Sequence, residues 1–322
     1  MKPLHLVLLV FQGALVGSSF LMIKVVVDDI SPALVVAGRL VLAASLAFAI
    51  VLAMRLPMLA TRSGYGILFL IGALGLALPF LMVTWAQTRV SSGTTSVLSS
   101  AIPIVTACLA VWLLRDERLT KSKVIGLAVG FVGVAVLSGG DFLDLGGSVL
   151  IGDLAVIGSV LCFAASTVAV RRFLRDENPM TVSAFNLLFA AIVSIPVAVA
   201  TEPPDRLLVL DEVEWAAFLT LGLGTGVVNS LFYWLMVRIG AIKVSMTAYI
   251  TPATGVLLGW LVLDEVVNWY MSIGFACIIA GIAMATGMLS VERLGDRLLP
   301  GRKRRALAIS ADSSTRGPST RR

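Results

Sequence analysis

The sequence predicts an all-α membrane protein, ten transmembrane helices arranged as two inverted five-helix repeats. Composition is the first reason: of 322 residues 58% are hydrophobic and 14% charged, with a mean hydropathy of +0.98, far too apolar for a soluble globular domain. The second is that apolar runs of about 20 residues, the length that crosses a bilayer, follow one another along nearly the whole chain. The third is that words from the first half return in the second, as described below.

The runs take their limits from charged or Pro-, Gly- and Asp-bearing breaks. Segment 4–26 lies between Lys2 and the pair Asp28 and Asp29. It is too long for a secretory leader, contains Lys24 and is followed by no small-residue cleavage site, so it reads as a retained helix. Segment 32–54 begins at Pro32 and ends at Arg55, and segment 65–87 lies between Arg62 and Arg89. Segment 92–114 stops at the charged run Arg115 to Arg118, and 123–139 stops before Asp141. Segment 149–170 closes on Arg171 and Arg172, and 180–200 closes on Glu202. Segment 213–237 stands between an acidic stretch and Arg238, 242–263 runs to Asp264 and Glu265, and 269–289 is the last. The halves are therefore 1–145 and 146–289, and a tail occupies 290–322.

Charge sets the orientation. Most of the 25 Lys and Arg fall on one side if the N-terminus is cytoplasmic, while Asp28, Asp29, Asp141, Asp144 and the run from Glu202 to Glu214 fall on the other. The positive-inside rule then puts both termini in the cytoplasm of a multi-pass protein of the cell inner membrane. The tail ends in GRKRRALAISADSSTRGPSTRR, a composition that stays disordered beside an anionic leaflet. Lipid accounts for its charge, so no nucleic-acid partner is expected.

Trp112, Asp116 and Glu117 in WLLRDERLT return as Trp260, Asp264 and Glu265 in WLVLDEVVN, at an offset of 148. Trp85, Arg89, Ser96 and Pro103 match Trp234, Arg238, Ser245 and Pro252 at an offset of 149, and RLVLAA at Arg39 matches NLLFAA at Asn186 at 147. Five helices are an odd number, so the second copy enters from the opposite side, as in secondary transporters. The two Asp-Glu pairs then lie about a bilayer apart, roughly 30 Å, too far to act as one acid and base. They mark helix exits, with Thr120 and Asn268 positioned to cap the helices that follow, the alternative being a gating ion pair such as Glu117 with Arg118 or Lys121.

At these residues the chain resembles the EamA-type drug/metabolite transporters. GSSFLMIK at 17–24, SPALVVAGRL at 31–40, the W-L-L-x-D-E-R-L-T run and the spacing of Gly126 from Gly133 carry the resemblance over residues 4–289. It implies ten helices in duplicated halves and a transport function. It departs from symmetry at Arg39, whose repeat partner Asn186 is neutral.

A charge within a span is costly enough to be a functional candidate. Arg39 sits about 10 Å along its helix from Pro32, deeper than comfortable snorkelling. Lys24, near a helix end, is able to snorkel and joins Arg39 as a substrate-pathway candidate. Gln12, Asn186, Asn229, Tyr233 and Tyr249 complete that set, Asn229 and Tyr233 sharing one helix face with hydrogen bonding between helices as the competing role. Trp85 and Trp234 read as interface anchors. Pro79, Pro103, Pro196 and Pro252 loosen their helices, and the matched Pro103 and Pro252 are the hinge candidates. GLGTG at 222–226 lacks the strand and Lys-Ser/Thr of a phosphate loop and reads, with Gly13, Gly17, Gly126, Gly130, Gly255 and Gly259, as a small-residue packing face.

Cys108, Cys162 and Cys277 read as packing residues, and a single histidine, His5, leaves no basis for a His/Cys metal site or other cofactor. No carboxylate is predicted near mid-span, which disfavours a proton relay. The reading is a secondary transporter, an exporter of a small metabolite such as an amino acid, working by alternating access between the repeats. A membrane-embedded enzyme or a non-transporting receptor or scaffold is the alternative; the first needs a reactive constellation, and no catalytic motif is present.

Overall fold

The computed structural model of the chain describes residues 2–27, 29–60, 62–90, 95, 98–114, 119–137, 147–254 and 269–285. Among them the backbone is helix and turn, without a strand. The helices are α1 (Pro3–Val27), α2 (Pro32–Ala53), α3 (Arg62–Ala86), α4 (Ile102–Leu113), α5 (Lys121–Leu137), α6 (Gly147–Phe173), α7 (Pro179–Thr201), α8 (Glu212–Ile239), α9 (Ala241–Ser245) and α10 (Trp269–Ala285). Six of them, α1, α2, α3, α6, α7 and α8, contain stretches long and apolar enough to cross a membrane, so the chain is a multi-pass integral membrane protein. The two Asp-Glu pairs, Asn268, Gly255, Gly259, the side chain of Lys24 and the tail lie outside the described residues.

Local chemistry explains the helix ends that matter for the site. Helix α2 starts at Ser31, whose hydroxyl accepts from the Leu34 N–H at 3.3 Å with Pro32 in the first turn. Helix α7 starts the same way, Asn178 accepting from Met180 N–H at 3.0 Å ahead of Pro179. Arg39 and Asn186 therefore follow matching starts at matching depth. Asp211 and Glu214 form a reciprocal capping box at the start of α8, with bonds of 2.8 and 2.7 Å. At its other end Gly240 has φ 89°, a conformation that a side chain would strain. Thr120 caps α5, its hydroxyl accepting from Lys123 N–H at 3.3 Å.

Helix α3 changes gauge midway. Pro79 has no N–H and its ring crowds the carbonyl four residues earlier; the preceding turn, Ala73–Ala77, widens to a π-helix in which Leu78 N–H reaches the Ala73 carbonyl. Two expected spans are less regular than their apolar runs suggest. Segment 92–114 is turned at Ser100 and Ala101 before α4, so Pro103 occupies the first turn of a helix and not its middle. Segment 242–263 is interrupted at Met246, where Tyr249 N–H bonds the Met246 carbonyl at 3.0 Å, and is helical again over 247–254 around Pro252.

The packing is by pairs. Helix α2 lies along α7 and α8, α1 along α8, α6 along α3 and α4, α7 along α3, and α5 along α10. Hydrogen bonds fix α2 and α7 antiparallel. At one end Ser31 N–H donates to Glu202 Oε2 at 2.6 Å, and at the other Thr181 Oγ1 donates to the Pro57 carbonyl at 2.8 Å. The Ser31 N–H, with Arg206 beside it, holds the Glu202 carboxyl below the usual range. Beyond the second end Arg171 Nη1 donates to the Met236 and Val237 carbonyls at 3.4 and 3.2 Å, and Arg172 Nη1 to the Leu113 carbonyl at 3.0 Å. The last turn of α6 thus donates to carbonyls in the last turns of α8 and α4.

Candidate functional site

The described helices enclose a cavity of about 220 Å³. It is walled by α1, α2, α3, α4, α6, α7, α8, α9 and the helical stretch 247–254 that follows α9, whereas the described residues of α5 and α10 do not line it. The π-turn of α3 brings Gly75, Leu76 and Phe80 to the wall. Phe80, Phe163 and Phe232 make much of the lining apolar, and Phe80 and Phe163 meet edge to face at 5.7 Å between ring centroids.

Arg39 stands in this wall, 7% exposed. Its Nε and Nη2 both donate to Thr225 Oγ1, at 3.2 and 2.9 Å, and its guanidinium lies 4.2 Å from the centre of the Phe80 ring. Thr225 in turn donates to the Leu221 carbonyl at 2.6 Å, which turns its lone pairs toward the arginine. Both partners are neutral. A charge so placed within a membrane costs several kcal/mol, and here a hydroxyl and a ring face offset only part of it.

Asn186 lines the same cavity from α7. Its Nδ2 donates to the Tyr233 hydroxyl at 2.8 Å, and its buried Oδ1 has no hydrogen-bond partner among the described residues. Asn229 Nδ2 donates to Ser183 Oγ at 3.1 Å, and Ser183 lies 3.1 Å from Ser230 Oγ. Gln12 ties α1 into the wall, donating to the Val228 carbonyl at 3.3 Å and accepting from Thr247 Oγ1 at 3.4 Å. Of the sequence candidates, Gln12, Arg39, Asn186, Asn229 and Tyr233 therefore meet at one cavity. The polar residues on α8 serve both roles considered for them, bonding between helices and lining the space.

Tyr249 does not join them. It is fully buried, but its hydroxyl donates to the Leu127 carbonyl of α5 at 2.8 Å and its ring fills the space beside Gly130. Trp85 and Trp234 are partly exposed and stack under Arg89 and Arg238, 3.8 and 3.6 Å from guanidinium to ring centre. Sequence reasoning missed Thr225 and Phe80. Thr225 had a readable signal: with Asn229 and Tyr233 it repeats at a spacing of four residues, one face of a helix.

Comparison with known proteins decides the family. The model of the EamA-like transporter family matches this chain twice, over residues 4–139 and 150–287. The chain belongs to the EamA-like transporter family. Among its relatives is the uncharacterized transporter YoaV of Bacillus subtilis (strain 168), 26% identical over 86% of this chain and 95% of the relative. The S-adenosylmethionine uptake transporter of Rickettsia prowazekii (strain Madrid E) is 31% identical over 38% of this chain and 41% of that protein. A solved crystal structure of a protein superposes with a TM-score of 0.71 at 20% identity, covering 89% of this chain and 97% of that one, which shows a shared fold. For an EamA-like transporter, a cavity walled by most of the described helices and holding a buried cation fits transport.

Proposed function

We propose that this EamA-like protein is a secondary transporter that exports a small carboxylate-bearing metabolite, either a zwitterion such as an amino acid or an anion. The observation that carries the reading is Arg39, buried in the wall of the cavity with only neutral partners among the described residues. Such a cation lacks the counter-charge that an anionic group of a substrate supplies. The relative named for uptake of S-adenosylmethionine supports a metabolite as cargo. Export is proposed from the field: a net anion, bound where the described lining offers no carboxylate for coupling, runs outward from a negative interior.

The mechanism proposed is alternating access between two five-helix halves of opposite orientation, with ten crossings in the inner membrane and both termini cytoplasmic. The packing supports an exchangeable pair of halves. Helix α1 on α8 answers α6 on α3, α2 on α8 answers α7 on α3, and α2–α7 and α5–α10 are their own counterparts. The stacks of Arg89 on Trp85 and Arg238 on Trp234 repeat at the same offset. The turns at Ser100 and Ala101 and at Met246, upstream of Pro103 and Pro252, are the proposed flexing points, and the basic tail is proposed to lie on anionic lipid.

Growth under a panel of toxic amino acids and other carboxylates, in cells with and without the protein, tests the reading. Wild-type protein is expected to protect against at least one compound. Arg39→Gln should remove that protection at unchanged membrane abundance, and Arg39→Lys should retain part of it, since the charge survives while the planar fork is lost. Full protection by Arg39→Gln would refute the assignment.

A further inference from the structure

We infer that the substrate is a monoanion and that the membrane potential acts on the return of the empty site, not on the passage of the loaded one. The inference rests on the reading of the cavity as the transport site. Its basis is the charge inventory. Arg39 is the one ionised side chain among the described residues that line the cavity. Its hydrogen bonds both go to Thr225, and its ring contact is Phe80. Counted over those described residues, the empty site carries one positive charge.

Three classes of ligand change that charge differently. A monoanion on the guanidinium brings the site to zero. A zwitterion leaves it positive and introduces an ammonium, for which the described lining offers amide, hydroxyl and carbonyl oxygens but no carboxylate. A dianion leaves it negative. Net charge held away from water is the expensive state, so the monoanion gives the complex that crosses at least cost. The rest of the wall suits such a molecule, with Phe80, Phe163 and Phe232 for an apolar body and the unpartnered Asn186 Oδ1 to accept one N–H or O–H from it.

Alternating access changes which side of the site is filled with water. A fixed charge then changes its electrical position while hardly moving in space. The loaded site, neutral, crosses the field without electrical work. The empty site, at one positive charge, returns inward and is drawn by a negative interior. One turnover thus moves one negative charge outward, and all of the voltage dependence falls on the return step.

The test uses the full chain in proteoliposomes, with valinomycin and potassium gradients setting the potential. The probes are N-acetyl-leucine, leucine and leucinamide, which present a monoanion, a zwitterion and a cation on one skeleton. N-acetyl-leucine should be preferred, and its net efflux should accelerate when the side it leaves is negative. The equilibrium gradient should shift about fifty-fold per 100 mV, the equivalent of about 2.3 kcal/mol for one charge. Exchange of labelled for unlabelled N-acetyl-leucine at saturation on both sides should not respond to the potential. Arg39→Lys should keep both behaviours at weaker affinity. Preference for leucine, net efflux indifferent to potential, voltage-dependent exchange, or movement of none of the three would each overturn the inference. Protection in the growth panel would then still stand as separate support for transport.

Discussion

Thr225 holds the guanidinium of Arg39 by one oxygen that accepts twice, at 3.2 and 2.9 Å, while its own proton is committed to Leu221. Valine has nearly the same shape and no acceptor. Hydrogen bonds to charged groups are worth about 1.5–3 kcal/mol, so Thr225→Val should raise the half-saturation concentration for export by about tenfold or more. Thr225→Ser, which keeps the oxygen, should stay close to wild type; equal behaviour of the two variants would exclude this role. Arg39 was legible in the sequence because a mid-span charge is rare, and Asn186 because it stands at the same place in the repeat. Thr225 was hidden by the glycines around it. Those glycines do pack, Gly222 against Leu42 and Gly226 against Ala43, yet the adjoining face of the same helix turns to the cavity. Tyr249 went the other way, because a buried hydroxyl is satisfied as well by a neighbouring helix's carbonyl as by a ligand, and spacing does not distinguish the two.

Helices α5 and α10 build a contact that the cavity does not use. A Cβ added at Gly281 would lie 2.5 Å from the Gly130 nitrogen and 2.7 Å from the Gly126 carbonyl oxygen, backbone atoms that cannot rotate away. Gly281→Ala must therefore part the two helices. Overpacking of this kind costs about 1–3 kcal/mol, which should appear as a lower melting temperature in detergent while affinity for exported substrate is kept. Gly224→Ala, in a helix but facing open space, should keep or raise the melting temperature, since alanine favours the helix by up to about 1 kcal/mol. Equal stability of the two variants would count against the close contact. The small-residue spacing in the fifth segment made this packing legible. The interruptions at Ser100 and Ala101 and at Met246 were not, since the apolar run continues through them and hydropathy records solvent, not backbone geometry. The π-turn before Pro79 is intermediate: the proline announced a disturbance, and only the fold decides whether the helix kinks or widens.

At the scale of the whole molecule, hydropathy and the duplicated words carry the membrane fold, and the double match to one family model agrees with duplication. Orientation is the part that neither packing nor family decides, because a helix bundle is compatible with either direction of insertion. It rests on the Lys and Arg distribution and on the odd number of helices per half, and it has a sharp consequence. In the proposed arrangement of two inverted five-helix halves, helices α5 and α10 occupy matching positions, so their starts should emerge on opposite faces. Lys121 is exposed at the start of α5, whereas its neighbour Ser122 is buried, and Trp269 is 76% exposed at the start of α10. Lys121→Cys and Trp269→Cys, each made after replacing Cys108, Cys162 and Cys277, give two reporters. A membrane-impermeant maleimide applied to spheroplasts should label only the cysteine at position 269, and opening the membrane should add labelling at 121. Labelling of both before the membrane is opened would mean that the halves share one orientation, and a family duplication would then have to work without inversion.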